Sequence, residues 1–254
     1  IRKYEDETNL RAHLLVDQLG NGVAASAGDL VDRLRSFGRE AVLVPNAVNE
    51  RIFGGPLPPP PADVAGITGT VLGYHGSLYG DWFDWGALAA VAAALPDATV
   101  IVIGDDRAKH PPMPGNVRFL GLRPQADLPG YLARLDVGLV PFTVTPVTHA
   151  VSPLKVFEYL ACGVPVAAPP LRALAGIDGV YTDDDLVRAV AAALRCPRPD
   201  RAEALRRHGW GDRVAALFAS AGRILRDVVP PPVQIVARPA EHFAVRRRRV
   251  RASK

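Results

Sequence analysis

The sequence predicts an α/β fold, a doubly wound parallel sheet, from three observations. Short apolar runs alternate with helix-periodic stretches along most of the 254 residues. The runs are apolar on both faces and rich in Val and Ile, as parallel strands covered by helices on both sides are. The longest near-continuous apolar stretch, Gly86–Leu95, holds 10 residues, half of the ~20 that a membrane span needs.

The predicted strands, in order, are Gly22–Ala25, Ala41–Val44, Thr70–Tyr74, Thr99–Ile103, Val117–Leu120, Val137–Pro141 and Val164–Ala168. Helical periodicity fills the intervals at Asp29–Phe37, Trp85–Leu95, Leu128–Leu135, Pro153–Cys162, Asp184–Leu194 and Arg201–His208. Two segments break the alternation. Pro45–Thr68 holds six Pro and no clear period, so residues 45–68 read as an interdomain linker, with polyproline II at Pro58–Pro61. Residues 228–254 are Pro-rich and then polybasic, and read as a disordered tail. Residues 69–208 are long enough for a complete nucleotide-binding domain. Residues 1–44 offer too little apolar surface for a core and read as the end of a domain that began earlier. The chain opens on Ile1, as the edge of a longer protein would. A final helix, Asp212–Asp227, is expected to cross back towards that first part, within a 209–227 segment.

Charge excludes one class of function. Lys and Arg number 30 against 26 Asp and Glu, but six of the basic residues lie in 246–254, RRRRVRASK. The other 245 residues therefore carry 24 basic against 26 acidic residues, so bulk charge does not favour nucleic acid. The tail has two readings: a solvated end, or attraction to anionic lipid. Two cysteines, Cys162 and Cys196, make neither a disulfide framework nor a cysteine zinc site. A reducing cytoplasm is the expected compartment, with peripheral contact at the inner membrane face if the tail binds lipid. The six His show no H-x-x-x-H or H-x-H spacing, and Asp105-Asp106 reads as a solvated strand end, so no metal site is expected.

The stretch that carries chemistry is Thr148–Val166, THAVSPLKVFEYLACGVPV. Ser152 is a suitable N-cap and Pro153 a suitable first helical residue. Lys155 then falls in the first turn, where the helix dipole already puts about half a positive charge. A cation there costs ~0.3–1 kcal/mol unless an anion neutralises both. Only four of the basic residues are Lys, and a compact ammonium suits a phosphate oxygen approached end-on. Glu158 lies one turn deeper on the same side and can accept hydrogen bonds from a ribose diol. Two readings stand on spacing alone: a nucleotide diphosphate site, or a solvated i,i+3 ion pair worth ~0.2–0.5 kcal/mol.

This segment resembles the donor-binding signature of bacterial group 1 glycosyltransferases of the GT-B fold, in the form S-P-x-K-x-x-E-Y-x-A-x-G-x-P-V. It stands here as Ser152-Pro153-Leu154-Lys155 through Glu158-Tyr159, Ala161, Gly163 and Pro165-Val166. Ala24–Phe53 resembles that family's join between domains, Leu72–Asp84 its first C-terminal loop, and Asn116–Phe142 its strand, glycine turn, helix and strand. The likeness runs in order over roughly residues 20–225. It implies a Rossmann-like donor domain that binds a nucleotide sugar, UDP- or GDP-linked, as substrate, with no cofactor and no metal. Lys155 would stabilise the departing diphosphate and Glu158 would hold the ribose. The backbones of Ser152 and Leu154 would cap the pyrophosphate, Gly76 and Ser77 would approach it, and Leu122 and Arg123 would lie near the base. The acceptor would be a glycan or lipid-linked sugar, and its contacts, with any general base, are expected from the first domain, most of which lies outside this chain. Many relatives carry a second Glu where this chain has Ala150, and His149 is the candidate substitute.

Other signals weigh less. Gly73-x-x-Gly76-x-x-x-Gly80 follows a strand but matches neither phosphate-loop spacing, and reads first as close packing. Trp82, Phe83 and Trp85 cluster around Asp84, an N-cap for the next helix, and read first as aromatic packing at the interdomain cleft and second as substrate contacts. His75, between two glycines of the first loop, has two readings: loop packing first, and a side chain that reaches the cleft second. No G-x-S-x-G element offers a hydrolase nucleophile. Two further functions stay open: a nucleotide-sugar epimerase of the same fold, and a non-catalytic nucleotide-sugar-binding scaffold.

Overall fold

The computed structural model describes residues 23–219, apart from 40, 79, 106–109 and 216. The predicted basic tail, residues 1–22 and the end of the final helix lie outside the described residues. The first part is a single β–α–β turn. Strand β1 (Val23–Ala25) pairs in parallel with β2 (Ala41–Leu43), and α1 (Gly28–Ser36) connects them. Its apolar cluster has three buried residues, Ala25, Val31 and Ala41, with Val23, Leu30 and Leu34 against them.

The Pro-rich segment packs more closely than its composition suggests. It holds two four-residue helices, α2 (Glu50–Phe53) and α3 (Ala62–Ala65). Asn49 caps α2 by accepting a hydrogen bond from the Arg51 N–H at 3.1 Å. Val48, Phe53 and Val64 are fully buried and belong to the large core. Pro58, Pro59 and Pro61 rest where Gly130 has no side chain.

The main sheet has six parallel strands in the order β5-β4-β3-β6-β7-β8. They are β3 (Val71–His75), β4 (Thr99–Ile103), β5 (Val117–Gly121), β6 (Val137–Leu139), β7 (Val166–Ala168) and β8 (Val180–Thr182). The connecting helices are α4 (Trp85–Ala94), α5 (Leu128–Ala133), α6 (Pro146–His149) and α7 (Leu154–Ala161). Helices α8 (Leu186–Arg195) and α9 (Arg201–His208) follow the last strand, and residues 210–215 and 217–219 are helical. The chain moves outward in one direction from β3 to β4 and in the other from β6 to β7. Right-handed crossovers then place α4 and α7 on opposite faces. Helix α8 packs against α4, and α9 against α7. The expected doubly wound α/β architecture is what the structure shows.

Local chemistry sets the element ends. The Asp84 carboxylate accepts from the Ala87 N–H at 2.8 Å and starts α4. The Asn116 amide ends it, donating to the carbonyls of Ala92, Leu95 and Ala98. Two sequence expectations need correction. Helix α7 starts at Leu154, not Pro153, and Ser152 does not cap it: Pro153 holds an extended backbone at the N-cap with no side-chain cap. Strand β8 has no counterpart among the predicted elements, because three half-exposed edge residues give no period to read.

One packing contact fixes the centre of the sheet. The Tyr159 ring of α7 lies over β6, where a side chain on Gly138 would meet it at 2.6 Å. Its hydroxyl takes the His75 N–H at 3.1 Å and reaches the Gly73 carbonyl at 3.2 Å. Gly138→Ala is therefore expected to destabilise the protein by ~1–3 kcal/mol, the usual cost of overpacking a core. Gly28→Ala, with nothing within 4 Å of the added carbon, is the control. Urea unfolding measures both, and an unchanged midpoint for Gly138→Ala would show that the ring yields freely.

Candidate functional site

Between β3 and β6 the sheet order reverses direction, and the loops leaving the C-terminal ends of these strands part to opposite faces. Open α/β sheets bind ligands at such a point. Here the loops are stitched together. The Gly76 N–H donates to the Ile103 carbonyl at 2.9 Å, and the Gly104 N–H to Gly121 at 3.1 Å. Gly104 approaches the Gly76 carbonyl so closely that a Cβ would overlap it. Across the switch, the Asp84 N–H donates to the Pro141 carbonyl at 2.8 Å and the Thr143 N–H to Trp82 at 2.9 Å. Gly76 has φ 134°, a conformation that only glycine adopts without strain.

Helix α7 enters this junction with Lys155 in its first turn. Lys155 keeps part of its surface exposed, yet its ammonium is ringed by protein. Nζ lies 4.6 Å from the Phe142 ring centre, 4.7 Å from Tyr74 and 5.7 Å from Trp82. It donates to the Tyr74 hydroxyl at 3.3 Å. Among the described residues no carboxylate oxygen lies within 4.0 Å of it. Burial strips the ammonium of hydration and pushes its pKa down to about 7, a shift that the charge of Glu158 only partly opposes.

Glu158 is buried. Its Oε1 accepts from the Gln125 amide at 3.1 Å, and its Oε2 lies 3.4 Å from His75 Nε2. That second contact is close but lacks hydrogen-bond alignment, and His75 Nε2 has no hydrogen-bond partner. Burial raises the Glu158 pKa, against the hydrogen bond from Gln125 and the charge on Lys155. Burial also pushes His75 down to about 3, helped by Lys155, so the imidazole is neutral near pH 7.

The structure thus brings Lys155, Glu158, Gly76 and Ser77 to one junction. A cleft of about 230 Å³ beside them is lined by His75, Gly76, Ser77, Asp105, Leu122 and Arg123, among others. Leu122 is 66% exposed at its rim. The Arg123 guanidinium, however, turns to structure: it donates to the Tyr131 hydroxyl at 2.8 Å and to Asp63 at 3.0 Å. Ser152 is buried, and its carbonyl accepts from the Asn46 amide at 2.7 Å. Leu154 is exposed at the helix start. No acceptor pairs with the Leu154 or Lys155 N–H among the described residues, as first-turn geometry dictates. His149 Nδ1 accepts from the Arg172 N–H at 3.3 Å. Three contributors escaped the sequence reading. Tyr74 and Phe142 look like core residues in apolar runs, and Gln125 sits in a short 3-10 turn (Gln125–Asp127) that no periodicity marks.

An unneutralised cation beside open backbone donors at a helix start, with a buried carboxylate one turn deeper, suits an anionic ligand that also carries hydroxyls. Residues 69–196 match the family model for glycosyl transferases group 1, just over half of the chain. The chain belongs to that family. Relatives of this chain include TuaH of Bacillus subtilis (strain 168), named as a teichuronic acid biosynthesis glycosyltransferase, 29% identical over 182 residues. Another is a phosphatidyl-myo-inositol mannosyltransferase of Propionibacterium freudenreichii subsp. shermanii, 32% identical over 157 residues. These matches take in 67% and 54% of this chain but 45% and 39% of the relatives. The chain therefore spans less than half of their length. HepE of Anabaena, solved with UDP-glucose, shares the fold at TM-score 0.64 and 18% identity, over 89% of this chain and 70% of its own.

The depressed Lys155 pKa makes a stability prediction. In the unfolded chain lysine keeps its ordinary pKa near 10.4, so between pH 7 and that value the folded state binds fewer protons than the unfolded one. Wild-type stability should then rise with pH through that window relative to Lys155→Met. The variant is expected to be the more stable near pH 6, with its advantage fading towards pH 10. Parallel denaturation curves at every pH would contradict this.

Proposed function

We propose that this chain is the nucleotide-sugar-binding part of a group 1 glycosyltransferase, which moves a sugar from a UDP- or GDP-linked donor to an acceptor. The observation that carries the reading is the convergence of Lys155, Glu158 and the Gly76–Ser77 loop at the switch point of the sheet. The Lys155 ammonium and the first N–H groups of α7 face the diphosphate. They stabilise the negative charge that develops on it as the glycosidic bond to the sugar breaks. A cation and a helix N-terminus supply here the charge that a divalent metal would otherwise supply, so the transfer is read as metal-independent. Glu158, held by Gln125, accepts hydrogen bonds from the ribose hydroxyls. Leu122 and the backbone beside Arg123 meet the base.

Acceptor contacts and any general base come from the first domain. A glycan or lipid-linked sugar fits best, because the Propionibacterium relative is named for a phosphatidylinositol and a Xanthomonas campestris relative for a glycolipid. The basic residues 246–251 would hold the protein at an anionic inner membrane face, from the cytoplasm. Among the described residues no helix is long and apolar enough to cross a membrane.

A thermal-shift panel of UDP, GDP, dTDP and ADP tests the donor site. A ligand at a hundred times its Kd adds ~2.7 kcal/mol of stability. Lys155→Ala and Glu158→Ala should each cut that shift by about half or more while remaining folded, with Lys155→Ala weakening affinity by about 1.5–3 kcal/mol. Unchanged binding in both would remove the site assignment. Turnover is expected only from a protein that also carries a complete acceptor-side domain, and sugar transfer by residues 1–254 alone would contradict that division.

Diphosphate affinity should also depend on pH. Below about pH 7 Lys155 enters the complex already charged. Above it the free site must take up a proton on binding, so affinity falls with a limit of about tenfold per pH unit. Isothermal titration between pH 6.5 and 9 measures the slope, and a flat profile would show that Lys155 is charged throughout.

A further inference from the structure

The Tyr74 hydroxyl sits at the meeting of the two elements that the proposed donor site needs. It donates to the Ser77 carbonyl at 2.8 Å and accepts from Lys155 Nζ at 3.3 Å. A Cβ on Gly76 would lie 3.1 Å from the Tyr74 hydroxyl and 3.1 Å from Lys155 Cε and Nζ. Loop, phenol and ammonium thus crowd one point, and glycine leaves room for them. The Tyr74 ring is almost fully buried and held edge-on by Phe83 at 4.9 Å, so the hydroxyl has a fixed place.

Resting on the donor-site reading of Lys155, we propose that Tyr74 is a positioning residue. Its hydroxyl holds the Lys155 ammonium and the Gly76–Ser77 loop in one arrangement before the diphosphate arrives. The remaining neighbours of the ammonium explain why a phenol serves here. Aromatic faces and a hydroxyl attract a cation without cancelling its charge, whereas a carboxylate at this distance would neutralise it. The ammonium is held in place and its charge stays available to the phosphates. Burial keeps the phenol protonated, so it accepts from the ammonium while its own proton goes to Ser77. A cation and loop fixed beforehand lose little further freedom on binding, and that is where the affinity arises.

The test is a double-mutant cycle on Tyr74→Phe and Lys155→Met, read by titration with the tightest binder among UDP, GDP, dTDP and ADP. The matching nucleoside, which has no phosphates, is followed by ligand-observed NMR. Tyr74→Phe keeps the ring and should weaken diphosphate binding about tenfold while nucleoside binding stays within about twofold. In the Lys155→Met background the same change should cost clearly less, since the two residues are coupled and only the hold on Ser77 remains to be lost. Lys155→Arg provides a second route, because it keeps the charge but cannot place a planar guanidinium at the same point. It should also lose about tenfold or more. Wild-type diphosphate affinity in Tyr74→Phe or Lys155→Arg overturns the inference. So does a loss that is undiminished with Lys155→Met or extends equally to the nucleoside. A wild type that binds none of the four diphosphates overturns the donor-site reading itself, and this inference falls with it.

Discussion

The structure depends on the burial of one phenol. Tyr159 sits where Gly138 leaves β6 without a side chain, and its hydroxyl reaches backbone groups of β3 and β6 together. These are the two strands between which the chain direction reverses. A helix laid over that seam by apolar contact alone could rotate or slide by a fraction of a turn. The three polar contacts of the hydroxyl, at 3.1, 3.2 and 3.4 Å, make one rotation of α7 better than its neighbours. Glu158 is adjacent in sequence and Lys155 one turn earlier, so their approach to the seam follows from that anchor. The sheet reversal, the glycine and the motif are one constraint seen at three levels.

The site works against the stability of the fold that carries it. A lysine in the first turn of a helix opposes the dipole, and burial of its ammonium adds a desolvation cost. Glu158 is buried with one oxygen satisfied by Gln125 and the other facing a histidine that offers no aligned donor. A core built only for stability would hold apolar residues at 75, 155 and 158. The surrounding contacts offset the cost. Residues Val156, Phe157, Tyr159, Leu160 and Ala161 of the same helix are all buried, and β3 is buried along its whole length. The polar groups are thus concentrated on the part of α7 that meets the strand ends.

Much of this was legible in the sequence, and the exceptions share a cause. Seven of the eight strands of the described region and the longer helices announce themselves by apolar runs, by caps such as Asp84 and by the Ser152–Val166 motif. What escaped depends on partners far away in the chain. Ser152 looks like a cap because its residue type prefers that position, but its carbonyl is claimed by Asn46, 106 residues earlier, and Pro153 holds the extended turn. The run Pro45–Thr68 lacks a period, so nothing local shows that Val48, Phe53 and Val64 enter the main core. Arg123 lines the cleft as expected, but its guanidinium is taken by Asp63, 60 residues earlier, and by the nearby Tyr131. Gln125 and Tyr74 carry no local signature, because their roles are defined by Glu158 and Lys155.

The division of labour between arginine and lysine makes the assignment of the cation more than a matter of motif. The described arginines act largely as staples. Arg201 donates to the carbonyls of Ala161, Phe53 and Gly55, Arg198 to those of Gly163 and Leu135, and Arg134 to those of Ile67 and Gly69. Arg123, Arg172 and Arg188 pair with Asp63, Asp29 and Asp183. A planar fork with five donors is suited to this, since it satisfies several carbonyls or both oxygens of a carboxylate at once. Lys155, the one lysine among the described residues, stands apart: it has a hydroxyl and aromatic faces for neighbours, and no carboxylate within ion-pair distance. A guanidinium at that position would reach for the surrounding carbonyls and become another staple. An ammonium, compact and with no fork to satisfy, can be enclosed by rings and still point its charge outward. In a chain that otherwise turns to arginine for positive charge, the exception stands where charge must remain uncommitted.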